Sequence, residues 1–399
     1  MSKLEKLLEG VEVEWMALSE VCEIYGGLKG KSKEDFSEGN AKYVSYKNIF
    51  YNIEVDFNKL DEVKVASGEN QYEVKYGDIL FTGSSEIANE AGMSCAVTNK
   101  SDVKVYLNSF SFGLRFNSDI ELLPEFSKYL FRSHFMRKEI SKTASGVTRF
   151  NVSKKRFKKL QIPIPTLKIQ KEIVRILDSF TELTTELTTE LTARKKQYSY
   201  YREQLLTFED GEAEFKTLGE VAEYSKTRIS FEELNEDNYV GVDNLLQNRL
   251  GKKVSSRVPT KGNSTQYVVN DVLIGNIRPY LKKIWFSDCI GGTNGDVLVI
   301  RITDSKITPK YLYQILADDG FFEYNMQHAK GAKMPRGNKS KIMEYLIPIP
   351  SLKEQERIVN ILDKFDTLTT SISEGLPKEI ELRKKQYEYY REKLLSFPK

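Results

Sequence analysis

One stretch of this chain occurs twice, which limits the fold to two copies of one plan. The first copy runs Gln161-Ile-Pro-Ile-Pro-Thr-Leu-Lys-Ile-Gln170 and closes with Arg194-Lys-Lys-Gln-Tyr-Ser-Tyr-Tyr-Arg202. The second runs Leu346-Ile-Pro-Ile-Pro-Ser-Leu-Lys-Glu-Gln355 and closes with Arg383-Lys-Lys-Gln-Tyr-Glu-Tyr-Tyr-Arg391. Upstream landmarks repeat as well. Trp15–Ile24 matches Phe215–Tyr224 at a displacement of 200, Tyr43–Ile49 matches Tyr239–Leu245 at 196, and Tyr76–Phe81 matches Val269–Ile274 at 193. Pro124 and Gly146 match Pro309 and Gly331 at 185. The shrinking displacement assigns longer loops to the first copy. Leu7-Leu8 before Glu14-Trp15 resembles Leu205-Leu206 before Glu214-Phe215, so the N-terminus resumes where the C-terminus, at Leu394-Leu395, stops. A chain of this kind can set its two globular regions about a pseudo-two-fold axis.

The expected fold is α/β (α+β), with two similar globular domains separated by two long antiparallel coiled-coil helices. The boundaries are 1–160 for the first domain, 161–210 for a central helix, 211–345 for the second domain and 346–399 for a C-terminal helix. Residues 1–14 read as a helix tail leading into a strand. Short β-branched and aromatic runs predict strands at Tyr43–Tyr46, Asp78–Phe81, Ser109–Phe116, Tyr239–Val242, Asp271–Gly275 and Asp296–Ile302. Pro124–Thr143 and Pro309–Gln327 read as helices with proline at the start, where its missing N–H is harmless. The Ile-Pro-Ile-Pro pairs force an extended approach to each long helix. Thr166 and Ser351 then stand at N-cap positions, and Ser351-Leu-Lys-Glu354 has the form of a capping box.

The apolar path of the central helix is Ile173, Ile176, Phe180, Leu183, Leu187, Leu191, Tyr198, Tyr201 and Leu205. Its counterpart includes Ile358, Phe365, Leu368, Tyr387 and Tyr390. Steps of three and four alternate except around Leu187, a stutter that unwinds a heptad locally. Helical stability comes mostly from packing such a face, so the two helices are each other's natural partner, as an antiparallel pair. Thr181–Thr192 repeats Thr-Glu-Leu-Thr three times, whereas the second copy has Asp366–Pro377 in its place. Phe180 to Arg194 spans 14 positions and Phe365 to Arg383 spans 18. Gly375 and Pro377 predict a kink or a restarted helix there.

Several chemistries are excluded. Gly26–Ser32 resembles a phosphate loop, but Tyr25 occupies the position of its first glycine. No Asp/Asn-Pro-Pro-Tyr/Phe motif is present, so the clamp of an amino-methyltransferase on a flipped base is missing. Three separated cysteines (Cys22, Cys95, Cys289) and two non-equivalent histidines (His134, His328) offer neither a zinc spacing nor a disulfide framework. Glu232-Glu233 and Asp318-Asp319 read as solvated charges, so no catalytic or metal-ligating residue is expected. No apolar run approaches the ~18 residues of a membrane span. Met1–Glu9 alternates charge with leucine and has no signal-peptide core, so a cytoplasmic protein without membrane partners is expected.

Net charge is only +3, from 60 basic and 57 acidic residues, so the distribution of charge matters more than its sum. Arg132, Arg137, Lys138, Lys142, Arg149, Lys154, Lys155, Arg156, Lys158 and Lys159 cluster before the first Ile-Pro-Ile-Pro. Lys330, Lys333, Arg336, Lys339 and Lys341 occupy the matching place in the second copy. Interleaved Gly, Thr and Asn give loops able to reach phosphates and base edges. The candidate DNA contacts are Lys47, Ser84, Ser85, Thr148, Arg149, Asn151, Lys154 and Arg156 in the first domain. In the second they are Arg278, Tyr280, Lys282, Lys333, Arg336, Asn338 and Lys339. The competing interpretation is a solvated basic face. Arg278–Lys283 and its counterpart Ser84–Asn89 differ chemically, as two regions reading different sequences would.

The paired arrangement resembles the specificity subunits of type I restriction–modification systems, over the whole length. The carriers are the two Ile-Pro-Ile-Pro-(Thr/Ser)-Leu-Lys-x-Gln openings, the two Arg-Lys-Lys-Gln-Tyr-x-Tyr-Tyr-Arg closings, the Tyr-Val-x-x-x-Asn elements and Gly77-Asp-Ile-Leu80. The resemblance implies two target-recognition domains, each reading half of a bipartite site in double-stranded DNA, and two spacer helices that dock methylation subunits. The helix residues named above are the candidates for that docking. It implies two methylation subunits and further restriction (motor) subunits, with S-adenosylmethionine on the methylation subunits and no cofactor in this chain. The Thr-Glu-Leu-Thr array then reads as a spacer of adjustable length, against a slipped repeat of no metrical role. A DNA-reading subunit of another restriction class and a coiled-coil scaffold binding proteins are the alternatives.

Overall fold

The computed structural model describes residues 13–36, 39–209, 211–371 and 373–398. Leu7 and Leu8 lie outside the described residues, as does the helix tail expected before the first strand. The chain divides into two compact units, one formed by Met1–Glu186 with Glu381–Lys399 and the other by Leu187–Ile380.

In the first unit the central sheet has the order Cys22–Gly26, Ser111–Phe116, Ile79–Thr82, Ser94–Ala96, with every neighbour antiparallel. A three-stranded sheet sets Ala41–Val44 between antiparallel Asp61–Val63 and parallel Val105–Leu107. The expected strand Tyr43–Tyr46 is cut short, because Tyr46 begins a helix that runs to Tyr51. Phe81 is at the centre of the core, with the rings of Phe112, Phe131 and Phe157 5.0–5.4 Å away.

The single helix expected over Pro124–Thr143 is two, Pro124–Leu130 and His134–Lys142. Ser133 separates them: its hydroxyl accepts from the Met136 N–H at 3.3 Å and so starts a new helix. Pro309–Gln327 likewise divides into Pro309–Leu316 and Asp319–Gln327, with Asp318 accepting from Gly320 N at 2.9 Å. Local capping outcompetes a continuous apolar face in both places.

The second unit repeats the plan. Its antiparallel sheet runs Ala222–Tyr224, Val297–Ile302, Val272–Gly275, Ile284–Phe286. A second sheet ends on Tyr239–Val240, parallel to Gly291–Thr293, as Ala41–Val44 is parallel to Val105–Leu107 in the first unit. The strand expected to reach Val242 stops because Asn244 folds back, its Oδ1 accepting from Gly241 N at 2.9 Å. Both Ile-Pro-Ile-Pro elements are extended. Gln161–Ile164 pairs with Glu14–Ala17, and Leu346–Ile349 pairs with Glu214–Thr217. Each proline-bearing strand has a single partner, and an edge is where a strand tolerates proline.

Gln170 and Gln355 anchor the long helices that follow. Gln170 donates to the carbonyls of Glu121 and Pro165 at 2.8 and 2.7 Å and accepts from Leu123 N at 2.8 Å. Gln355 does the same with Lys306 O, Pro350 O and Thr308 N at 2.8, 3.0 and 2.9 Å. The first long helix, Leu167–Leu206, is continuous over 40 residues. The second restarts, as Leu352–Thr370 (19 residues) and Gly375–Leu394 (20 residues). Gly375 adopts φ +78°, and a Cβ there would run into the Thr367 carbonyl oxygen, so the break requires glycine. The extra length of the second copy coincides with this break. The capping box at Ser351 is half formed. Its hydroxyl accepts from Glu354 N at 3.3 Å, but the Glu354 carboxylate binds Arg357 at 2.6 Å.

Helix pairing is antiparallel within each unit. In the first, Phe180 stacks on Tyr390 at 5.3 Å, and Leu394, Leu395 and Phe397 join the core around Phe81. In the second, Tyr198 and Tyr201 stack on Phe365 at 5.6 and 5.8 Å, while Leu205, Leu206 and Phe208 pack on its core. The duplicated closing sequences thus serve matching roles.

Candidate nucleic-acid interface

Each unit presents the same small hairpin, 185 residues apart. In the first unit Ala144–Ser145 pairs with Phe150–Val152, which pairs on its other side with Ser84–Ser85. In the second, Arg336 bridges Lys330 on one side and Ile277 on the other. Both hairpins are fastened alike, Val152 N donating to Gly83 O at 2.9 Å and Gly337 N to Asn276 O at 3.0 Å. Gly146 and Gly331, with φ +151° and +99°, open the two loops. By this register Asn151 and Arg336 share one place, whereas the counterpart of Arg149 is Met334.

The first hairpin gathers most of its candidates. Arg149 is exposed, and its Nε donates to Ser84 Oγ at 3.0 Å. Thr148 and Asn151 are exposed beside it, and Asn151 donates to Arg149 O at 3.3 Å. Lys47 is exposed on the helix whose first residue, Tyr46, donates to Ser84 O at 2.8 Å. Lys154 and Arg156 are exposed on the short helix Lys154–Phe157. Lys154 lies 5.5 Å over the Phe112 ring, where burial, and then Lys29, lowers its pKa. Ser84 and Ser85 need correcting. Both are buried, with Ser84 committed to Arg149 and Ser85 Oγ accepting from Ile87 N at 3.2 Å. They support the hairpin and present little surface.

In the second unit Arg278 and Lys282 adopt left-handed backbone conformations around the turn Pro279–Leu281, with Tyr280 exposed. Arg278 N donates to Pro335 O at 2.7 Å, which joins this turn to the hairpin. Lys282 is tied to Asp319 at 2.7 Å, and burial, then Arg249, lowers its pKa. Lys333, Arg336 and Lys339 are exposed. Asn338 is a helix cap, its Oδ1 accepting from Ser340 N at 3.2 Å, so its side chain has a structural task.

Two arginines of the basic cluster face inward. Arg132 donates to the carbonyls of Ser94, Ile49, Phe50 and Asn52, and Arg137 to those of Asn89, Ala91 and Gly92. Burial pushes each guanidinium down to about 10. The Tyr-Val-x-x-x-Asn motif is structural too, since buried Asn48 binds Asp56 N, Asp56 O and Lys59 O at 2.9–3.1 Å. The loop Gly26–Ser32 is pinned, with Lys31 paired to Glu69 at 2.6 Å. Three positions at the hairpins were passed over in the sequence: Val147 (92% exposed), Met334 (50% exposed) and Asp296, which pairs with Arg336 at 2.9 Å. An isolated apolar residue in a glycine-rich basic loop was the available signal for the first two.

The helix residues are largely occupied within their own units. Ile173 and Ile358 are fully buried, and Phe180, Tyr198, Tyr201, Phe365 and Tyr390 form the stacks above. Tyr387 packs on the first core, with Arg391 5.5 Å over its ring. Leu183, Leu187, Leu191 and Leu368 are half-buried. Tyr200 and Tyr389, matched positions of the duplicated closing motif, face outward, each 60% exposed. His134 N donates to Glu392 at 2.9 Å, and His328 packs edge-on against Tyr324 at 4.6 Å. Among the described residues no group of three His, Cys, Asp or Glu could hold a metal, and no helix is long and apolar enough to cross a membrane.

The family model for the type I restriction modification DNA specificity domain matches this chain twice, over residues 10–195 and 211–382. A type I restriction enzyme specificity subunit of Escherichia coli is 33% identical, over 100% of this chain and 98% of the relative. A putative type I restriction enzyme specificity subunit of Haemophilus influenzae is 31% identical, over 99% and 98%. Among solved structures, the fold is shared with the S subunit of a type I restriction–modification system from M. genitalium (TM-score 0.54, 17% identity, 100% of both chains). It is also shared with a chain from a study of type I complex assembly and conformational transition (TM-score 0.64, 16% identity, 96% of this chain and 97% of that one).

Proposed function

The chain belongs to the type I restriction–modification DNA specificity family, whose domain it carries twice, and on that premise we propose that each unit reads one half of a bipartite DNA site. It is the recognition component of a restriction–modification complex and does no catalysis itself. The observation that carries this reading is the repeated hairpin. Its bridging register is the same in both units, while matched positions hold different side chains: Arg149 against Met334, Asn151 against Arg336, Thr148 against Lys333. A constant scaffold with a variable face suits two half-sites of different sequence.

The duplicated helices supply two equivalent docking places, for two methylation subunits that carry S-adenosylmethionine. Restriction subunits join that assembly for cleavage. Tyr200 and Tyr389 support this, being exposed aromatics at matched positions of the two closing motifs. The Thr-Glu-Leu-Thr array sets the gap between half-sites.

Co-expressing the chain with its methylation partner and mapping modified adenines tests the proposal. The expected product is one bipartite sequence with a spacer of constant length. A chain that fails to shift random duplex DNA even at low salt is a protein-binding scaffold instead.

A further inference from the structure

Arg336 stands where three segments of the second unit meet. Its backbone exchanges hydrogen bonds of 2.8 and 2.9 Å with Lys330 and bridges Ile277 on the other side. The side chain leaves this frame outward, 58% exposed, with NH1 2.9 Å from Asp296 Oδ1. Asp296 is held on both sides: its N–H donates to Asn294 Oδ1 at 3.1 Å, and its carbonyl accepts from Asn276 N at 2.8 Å.

An exposed ion pair of this kind adds little stability. Its effect is on direction. An ion pair made through NH1 leaves Nε and NH2 as a two-donor edge on a side chain that is more than half exposed. That edge matches the O6 and N7 acceptors of guanine in the major groove. In the first unit both partners change together. Strand register places Asn151 where Arg336 stands and Phe110 where Asp296 stands, since Ser111 pairs with Thr82 as Val297 pairs with Gly275. The arginine and the acid that orients it are thus a feature of one unit only.

We propose that Arg336 reads a guanine in the half-site of the second unit, and that Asp296 is the positioning residue that aims it. The proposal rests on the DNA-reading function above. The test maps methylated sequences for the full complex of this chain with its methylation partner. Arg336→Ala relaxes one G·C position in one half-site, losing about 10- to 100-fold discrimination. Arg336→Lys keeps the charge but lacks the fork, so it relaxes the same position while non-specific affinity persists. Asp296→Ala and Asp296→Asn, which both remove the charge paired with NH1, relax that position alone. All other positions, and the other half-site, stay as in the wild type. A uniform loss across sequences with a shallower salt dependence makes Arg336 a phosphate contact and overturns the proposal, as does an unchanged profile in a folded variant. If the wild-type complex modifies no bipartite sequence, it is the underlying DNA-reading function that fails.

Discussion

Asp78 and Arg115 are joined by two hydrogen bonds, Nε to Oδ1 at 2.9 Å and NH2 to Oδ2 at 2.7 Å, and Asp271 and Arg301 repeat the pair at the same distances. The aspartates are fully buried, whereas the arginines keep about a third of their side chains in water. The aspartate of Gly77-Asp-Ile-Leu80 is therefore a structural clasp between two strands of the central sheet. Arg115→Ala or Arg301→Ala removes the charge partner of a buried carboxylate and should destabilise its unit by ~3–5 kcal/mol in urea unfolding. Asp78→Asn or Asp271→Asn leaves a water-accessible guanidinium and should cost less.

Gln170 and Gln355 each satisfy three backbone groups at the foot of a long helix. Alanine at either position leaves them unpaired in a dry site, a loss of ~3 kcal/mol. Hydrogen exchange reads this directly: the Leu123 amide should lose protection in Gln170→Ala, and the Thr308 amide in Gln355→Ala.

The Thr-Glu-Leu-Thr array lies wholly inside the continuous helix Leu167–Leu206. Deleting Thr189–Thr192 removes ~6 Å of helix, against ~3.4 Å per base step. The methylated sequence should keep both half-sites and shorten its spacer by one or two base pairs. An unchanged spacer would make the array a slipped repeat.

Arg149 differs from Arg336 in being held through Nε by a serine hydroxyl, which leaves NH1 and NH2 as its outward edge. Arg149→Ala should weaken DNA binding, and titrations against salt separate the two causes. Loss at one base position of the first half-site means base readout. A uniform loss with a salt slope lower by about one means phosphate contact.

Burial pushes the thiols of Cys22 and Cys95 up to about 12, whereas Cys289 is partly exposed. Both buried thiols stay protonated in the fold at neutral pH and through pH 9, so iodoacetamide should label Cys289 in the native chain. Cys22 and Cys95 should react only on unfolding, as peptide mapping by mass spectrometry would show.

The duplication, the extended Ile-Pro-Ile-Pro elements and the restart near Gly375 were legible because each depends on local chemistry: repeated order, proline's fixed φ, glycine's tolerance of positive φ. The hairpins were legible as basic, glycine-rich loops at matched places. The finer content was not. Ser133 and Asp318 divide helices that their apolar spacing joins, because a cap competes with a continuous ladder only through its exact surroundings. Arg132 and Arg137 belong to the basic cluster in the chain and are half-buried clamps on backbone carbonyls in the fold.

The amino-acid order alone therefore determined that this protein is two copies of one plan, joined by long helices and carrying two basic loops. Tertiary structure decided which charges face water. A guanidinium has the same donors wherever it lies, and only the carbonyls or carboxylates brought to it from distant segments settle whether it staples a core, as Arg132 does, or points outward beside Asp296, as Arg336 does.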